Sequence, residues 1–531
     1  MSPRILLVTV LCIFCAVLAA SCRHSSEPEI LVLKYTGMKA DMEEGFNARL
    51  AAVTDADGRP VYRFSHTDEK TGVKSGSKFR RVNGAEVEFR PVPFPQYQGA
   101  DDIFMLALST QTQHSTPAVH LFFVDLYWFQ TFSASWLMPF EGPEWDPANF
   151  KHDFIEACQL TGPDGRKRVY AIPFSAKGNM LFYRKDVLEL FGLTPPETWD
   201  ALRYTVQTVR QAVASPDYPG NLKEVLIKQY PELNANPARL EQEIEKWKAR
   251  LGRLRYGLLF HSQGFHNDFY PIAWGYGGDV FTPDEEKQRR AAQALYDIKR
   301  MIYDSSAYPI RLAPPPPVFE SHPADPSFDP AWDFAEGNAL FMINWDNRLD
   351  KMARYKKREI QIEHVGICPI PHMPDCESAS NIGSWGWVVN GQTVSSGPST
   401  MLRAALSTSK GGGDALAKKA VEQFLDDLTS EEAQEWLAEH FGSVPSREVR
   451  LPERVIANLQ RTNPTVVTLF QFFRTRGKVR FMNRPGSKRL NDLLEGALHR
   501  AIADPPKKDP AAEMDYLKKI LDEVRLQAKF L

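Results

Sequence analysis

Trp345 closes an apolar run, residues 339–343, and stands between Asn344 and a polar cluster of Asp346, Asn347 and Arg348. An indole among amide, carboxylate and guanidinium tips suits a ligand of mixed character. The ring offers an apolar face to C–H groups, and the tips offer fixed donors and acceptors to hydroxyls. Comparable mixtures occur at Asp125, Tyr127 and Trp128, at Lys177 and Asn179, and at Trp274 and Trp385. Asp125, Tyr127, Trp128, Lys177, Asn179, Trp274, Trp345, Asp346, Arg348 and Trp385 therefore form the candidate ligand-binding set, with Trp345 the strongest member. Burial in a core competes for every tryptophan. Trp199, Trp387 and Trp436 are assigned to cores by their stripe positions.

Other chemistries find less support. His364, Cys368, His372 and Cys376 are metal-capable types spaced four apart, but Pro369, Pro371 and Pro374 forbid the helix that would align them, so no metal site is expected. No nucleophile elbow, HExxH or phosphate-binding loop occurs, and no cofactor or enzymatic activity is expected. Carboxylates paired only in space, as in a glycosidase, are invisible in one sequence, so an exported carbohydrate-active hydrolase stays open as an alternative. A formal net charge of −2 gives no electrostatic case for nucleic acid.

The elements that must hold the candidate residues follow from periodicity. The chain of 531 residues exceeds one ordinary core, so at least two lobes are expected. Residues 30–35, 87–92 and 119–124 read as strands, with helices over 41–52 and 101–112 between them. Strand–helix alternation is a doubly wound α/β pattern, in which ligands sit beyond the C-terminal strand ends, where Asp125, Tyr127 and Trp128 fall. In the stretch 166–202, two strand-like pieces flank a small polar break at residues 175–179. Asp186 is expected to cap the helix that follows, with Glu189 as reciprocal partner, Gly192 to end it and Thr198 to cap the next one. That next helix carries Leu202, Val206, Val209 and Val213 on one face. Leu240, Ile244, Trp247 and Leu251 form a helical stripe within a charged insertion, and Thr429 with Glu432 reads as a further capping box. The charged stretch 54–83 reads as a surface excursion with a hairpin near Tyr62 and Phe64, and the prolines 314–317 as a stiff loop brace.

The N-terminus is a targeting segment. Arg4 precedes an apolar run, and Ala19-Ala20-Ser21 precede Cys22, as in a lipoprotein signal cleaved before an acylated cysteine. An ordinary secretory signal or an uncleaved anchor is the alternative. Beyond residue 20 nothing approaches the roughly 20 apolar residues of a membrane-spanning helix. Once Cys12, Cys15 and Cys22 are set aside, Cys158, Cys368 and Cys376 remain, an odd number that excludes a full disulfide framework. Cys368 and Cys376 could pair.

The segment 166–202, with its tyrosine-and-proline strand, polar break, Phe182-Tyr183-Arg184-Lys185-Asp186 strand end and Pro195-Pro196-Glu197-Thr198-Trp199-Asp200, resembles the sugar-binding, maltose-binding-protein-like family of extracellular solute-binding proteins that feed ABC importers. Residues 332–349, the Val365-Gly366…Pro369…Pro371 run, the 381–390 strand and the 428–434 junction resemble the same family. The resemblance implies a two-lobed periplasmic-binding-protein fold of class II type, each lobe a doubly wound α/β sheet flanked by helices. Residues 1–21 would be a signal peptide and 22–29 a lipidated tether. Residues 28–175 and 365–425 would form lobe 1, and 180–362 and 430–531 lobe 2, with insertions at 54–84 and 220–253. Residues 175–179 would be a hinge, and the strand ending at Trp345 would deliver ligand-facing residues. The protein would be a monomer anchored through a palmitate-type lipid on Cys22 to a bacterial membrane, facing the periplasm or the cell exterior. It would bind a sugar or related polar solute by hinge closure and hand it to permease subunits. Lys177 stands where some relatives carry a carboxylate; it would either favour an anionic ligand or sit solvated at the rim. A surface lipoprotein that binds another protein through its insertions is the remaining alternative.

Overall fold

A computed structural model describes residues 31–36, 40–92, 120–129, 132–141, 145–214, 220–261, 264–303, 330–346, 348–391, 412–441, 443–448, 450–462, 467–468, 470–472, 478–480 and 487–529. The expected helix at 101–112, the four-proline run and Cys22 lie outside them. The chain divides into two compact units: Met1–Leu121 with Asn390–Phe424, and Phe122–Val389 with Leu425–Leu531.

In the first unit, β1 (Leu31–Thr36) buries Leu31, Leu33 and Tyr35 at alternate positions. The helix Ala40–Ala52 follows and buries Phe46 and Leu50. Next come β2 (Tyr62–Thr67), β3 (Lys74–Val82) and β4 (Ala85–Pro91). β4 runs parallel to β1 and antiparallel to β3, which is antiparallel to β2. The charged stretch expected as an excursion thus builds two full strands of the sheet. Asn83 and Gly84, both at positive φ (51° and 84°), close β3 onto β4 as a two-residue turn whose twist matches the strands. Phe424, from the helix Gly412–Leu428, stacks on Phe89 with centroids 4.1 Å apart. Lys78 is fully buried and donates to the Tyr35 hydroxyl, to Glu43 and to the Gly76 carbonyl, so its cost of burial is offset by a complete set of acceptors.

The second unit is built on β8. It takes in β5 (Leu121–Asp125) from Phe122 on, the short helix Leu126–Phe129 and a hairpin of β6 (Gln159–Thr161) and β7 (Lys167–Val169). β8 then spans Ala171–Arg184 without interruption. β9 (Tyr256–Leu259), β10 (Ala339–Trp345), β11 (Val365–Cys368) and β12 (Ala379–Val389) complete its surroundings. Residues 171–178 of β8 pair with β12, and residues 179–183 pair with β10, both antiparallel. β11 pairs with the second half, and β10 is parallel to β9. The polar piece 175–179 is therefore not a break between two strands. It stays extended, because the small Ser175, Ala176 and Gly178 admit neighbouring backbones, and it marks where the partner changes.

Helices cover this framework. Trp199–Ala214 buries Leu202, Val206 and Val209, and Thr198 Oγ1 accepts the Ala201 N–H at 3.2 Å, the expected cap. Gly192 takes φ +64°, the expected left-handed end. Helices Gly220–Gln229 and Pro237–Gly252 form a hairpin that buries Leu240, Trp247 and Leu251. Lys299, from Glu285–Ile302, meets Glu513, from Pro510–Ala528, at 2.7 Å with both side chains 1% exposed. Two caps differ from expectation. Asp186 makes no cap bond and chelates Arg184 through two 2.8 Å bonds, because the buried guanidinium needs a carboxylate partner. Thr429 bonds back to the Leu425 carbonyl, and Ser430 caps instead, through the Ala433 N–H. Cys158, Cys368 and Cys376 are free thiols, so the 368–376 pairing is not made.

His120 in the first unit supplies a pH test. Its Nδ1 accepts the Lys34 backbone N–H at 3.0 Å, and burial, aided by the Lys34 charge, lowers its pKa from 6.5 to about 4. The unfolded chain binds this proton near pH 6.5 and the folded chain only near pH 4. The contribution is complete above the unfolded value and is lost as pH falls toward the folded one. Wild type is expected to lose roughly 3 kcal/mol more than His120→Gln between those limits, read from urea unfolding at stepped pH.

Candidate functional site

Register places the central residues. Directly opposed residues of an antiparallel ladder project to the same face. Trp385 is opposite Ser175, Gly383 opposite Lys177 and Trp345 opposite Asn179. Trp385, Lys177, Gly383, Trp345 and Asn179 therefore share one face where β8 changes partners. Gly383 keeps that face open to the indole. A Cβ built there would lie 3.1 Å from Cζ3 and 3.2 Å from Cη2 of Trp345, so the ring rests on bare β12 backbone. Trp385 stacks on Phe123 at 5.2 Å and 24°, extending the aromatic surface toward β5, and remains half-buried, as do Trp345 and Lys177.

A polar frame holds the other side. Asn179, fully buried, donates through Nδ2 to Asp268 Oδ1 at 3.2 Å. Asp268 lies in the first turn of the helix Phe265–Gly275 and is itself fully buried. Its Oδ2 accepts the His261 backbone N–H at 2.7 Å, and both of its oxygens lie 2.9 Å from His261 Nδ1. Asn381, next along β12, donates to Asn267 Oδ1 at 3.2 Å. The start of this helix is fixed from outside. Glu495, on the helix Ser487–Ala503, accepts the N–H groups of Gly264, Phe265 and His266 and contacts the His266 ring. Burial would raise the Glu495 carboxyl, yet hydrogen bonds from His266 and His499 hold it far below the usual carboxylate range. An anion receiving a helix N-terminus is the expected geometry.

The ten expected residues divide accordingly. Lys177, Asn179, Trp345 and Trp385 come together. Asp346 follows directly, its N–H bound to the Gly178 carbonyl at 3.0 Å, and the residue is only 2% exposed. Arg348 begins the helix Arg348–Arg354 and is half-buried. Asp125 ends β5, and Tyr127 and Trp128 lie in the helix Leu126–Phe129, which fixes their backbone positions. Trp274 does not join them. It is 7% exposed, stacks on Tyr270 at 5.6 Å and belongs to the helical core, since its helix turns that face inward. Trp199, Trp387 and Trp436 are buried, as their stripes imply. Gly383, Asn381, Asn267, Asp268 and His261 were missed. The closeness in sequence of the polar residues His261, Asn267 and Asp268 was a visible signal for the last three; the contact of Gly383 with Trp345 depends on a long-range register that no local pattern announces.

The family model for bacterial extracellular solute-binding proteins matches residues 76–460. The chain belongs to that family. Its members are solute-binding proteins rather than enzymes. Solved structures share the fold at low identity. The maltose-bound MalE3 of T. maritima is 17% identical with a TM-score of 0.57, the match covering 94% of this chain and 100% of that one. The cyclic α-maltosyl-1,6-maltose binding protein of Arthrobacter globiformis is 13% identical with a TM-score of 0.58, covering 94% and 99%. UgpB of Mycobacterium tuberculosis, in complex with glycerophosphocholine, is 15% identical with a TM-score of 0.54, covering 83% and 92%. This solute-binding protein thus has the α/β periplasmic-binding-protein fold, with mixed sheets flanked by helices.

The seat of Trp345 can be tested without deleting a polar group. Gly383→Val keeps an allowed backbone but forces the indole off β12. Solute affinity is expected to fall at least tenfold, about 1.4 kcal/mol, in a titration followed by tryptophan fluorescence. Unchanged affinity would show that Trp345 does not face the solute.

Proposed function

We propose that this solute-binding protein captures a sugar or closely related polar solute at the Trp345 face and delivers it to the permease of an ABC importer. The observation that carries the reading is the Trp345 indole seated on Gly383, with Lys177 and Trp385 on the same face. Such a surface stacks on a pyranose C–H face, while the neighbouring amides, charges and loop residues suit its hydroxyls. The ligands named for the similar proteins, a maltose, a cyclic maltosyl-maltose and a glycerophosphodiester, are all polyhydroxylated or polar. The two lobes proposed from the sequence, 28–175 with 365–425 and 180–362 with 430–531, would close about β8 at residues 175–179. Binding shifts the population toward the closed form, without covalent chemistry. Cys22 would carry the lipid that holds the protein at the membrane. Lys177 gives the proposal a second branch: a half-buried ammonium on the binding face favours a sugar acid or phosphate ester over a neutral sugar.

Calorimetry of the soluble fragment 23–531 against maltooligosaccharides, monosaccharides, polyols and sugar phosphates tests this. One saturable solute is expected, with no product by chromatography and a loss of at least tenfold in Trp345→Ala. Preference for the phosphate esters, reversed by Lys177→Met, selects the anionic branch. Turnover, or binding indifferent to Trp345, overturns the proposal. Labelling of the full chain with palmitate, abolished by Cys22→Ala, tests the anchor.

A further inference from the structure

A second cavity of about 200 Å³ lies at the far end of β8, beyond the partner change. Five residues of strand separate Asn179 from Arg184, about 16 Å at 3.3 Å per residue. The cavity is formed by that strand end, the helix Pro237–Gly252, the turn at Gly337 and His364. Arg184, Lys246, Arg250 and Arg253 line it, against the carboxylates of Asp186 and Glu359 and of Glu243 outside it on Lys246, which leaves one positive charge in excess.

The distribution of hydrogen bonds sharpens that excess. Arg184 is 1% exposed, and its Nε and Nη2 are held by the two oxygens of Asp186 at 2.8 Å each. Its Nη1 is buried without a partner among the described residues. Gly337, at φ +83°, brings bare backbone to this nitrogen: a Cβ there would lie 3.5 Å from Nη1. Asp186 is already committed to Arg184, yet Arg250 Nη1 stands 3.8 Å away and His364 Nδ1 3.9 Å away. One carboxylate therefore serves two guanidiniums. Arg253 reaches Glu359 at 3.2 Å, and Lys246 reaches Glu243 at 3.2 Å, both in exposed pairs that solvent screens. A buried, fixed guanidinium with an unused donor, beside a partly exposed one that shares its carboxylate, is suited to a tetrahedral oxyanion.

We propose that this cavity is a second ligand site, separate from the solute site, which binds a phosphate or sulfate group through Arg184 Nη1 and Arg250, with Arg253 at its mouth. Asp186 acts as a positioning residue that locks the Arg184 fork. The two sites share only β8.

The test is a titration of the soluble fragment 23–531 with inorganic phosphate and with sulfate at constant ionic strength, by calorimetry and by the phosphorus resonance of the phosphate. Saturable binding at one site is expected, weakened at least tenfold in Arg250→Gln and measurably in Arg253→Gln. Both substitutions leave the Arg184–Asp186 pair intact, and a melting temperature matching wild type without anion confirms that the fold is kept. Solute binding at the Trp345 face is expected to be unchanged in both, which separates failure here from failure of the proposed function. Equal affinity in Arg250→Gln, or no response beyond a chloride control, overturns the proposal. Vesicles of phosphatidylglycerol decide the source of the group: competition with phosphate would place it on a lipid headgroup, and no competition on a free anion.

Discussion

The architecture of the second unit depends on one strand keeping its backbone hydrogen bonds while its partners change. Buried N–H and carbonyl groups must be paired, and β8 is buried along nearly its whole length. Its first half is shared between β12 and the short pair Val444–Pro445 (β13), and its second half between β10 and β11. Two strands that bond the same residues must lie on opposite edges, so β8 is central twice over. The irregular points are repaired individually. Where the β12 register slips between Trp385 and Gly386, the Phe174 carbonyl accepts Gln434 Nε2 at 2.9 Å and the Pro173 carbonyl accepts Ser446 Oγ at 2.7 Å.

This constraint also bears on the solute site proposed at the Trp345 face. A strand at the centre of a regular sheet presents only side chains. At Gly178 and Asn179 the ladder is handed from β12 to β10, and backbone from three strands meets there. The Asp346 N–H finds the Gly178 carbonyl, and Ser380 Oγ finds the Asn179 carbonyl at 2.9 Å. Side chains gathered at the change of partner are therefore held by backbone geometry as well as by packing, as a recognition surface requires. The Asn179–Asp268–His261 chain carries these hydrogen bonds on to His261, and the start of the helix Phe265–Gly275 is clamped by Glu495.

Much of this was legible because it is local. Apolar alternation gave β1, runs of apolar residues gave β5 and β10, and 3.6-residue stripes gave the faces of Trp199–Ala214 and Pro237–Gly252. Lys177, Asn179 and Trp345 were legible as candidates because polar tips interrupt strand ends. The failures depend on burial and tertiary packing, which local pattern does not carry. Asp186 has the sequence of a cap, but a buried arginine two residues away outcompetes the helix end. Trp274 sits in an aromatic, glycine-ended helix, and only the tertiary fold reveals that its face turns inward onto Tyr270. The two-residue turn at Asn83-Gly84 was a strong hairpin signal that the surrounding charge obscured.

In the proposed reading, the position of Trp345 would link recognition to motion without any additional device. The ring is carried by β10, but its seat is the backbone of β12, and each of these strands is bonded to a different part of β8. A bend of β8 between Lys177 and Asn179 would necessarily move the indole relative to Gly383, because the two are tied to opposite sides of the bend. A ligand stacked on the indole while bonded to β12 or Lys177 would therefore have different free energies in the bent and straight forms. A difference of that kind is all that binding needs in order to shift a conformational equilibrium. The physical requirement is that the seat carry no side chain, since a Cβ at residue 383 would lie 3.1 Å from Cζ3 of the indole and push the ring off that backbone whatever the ligand did.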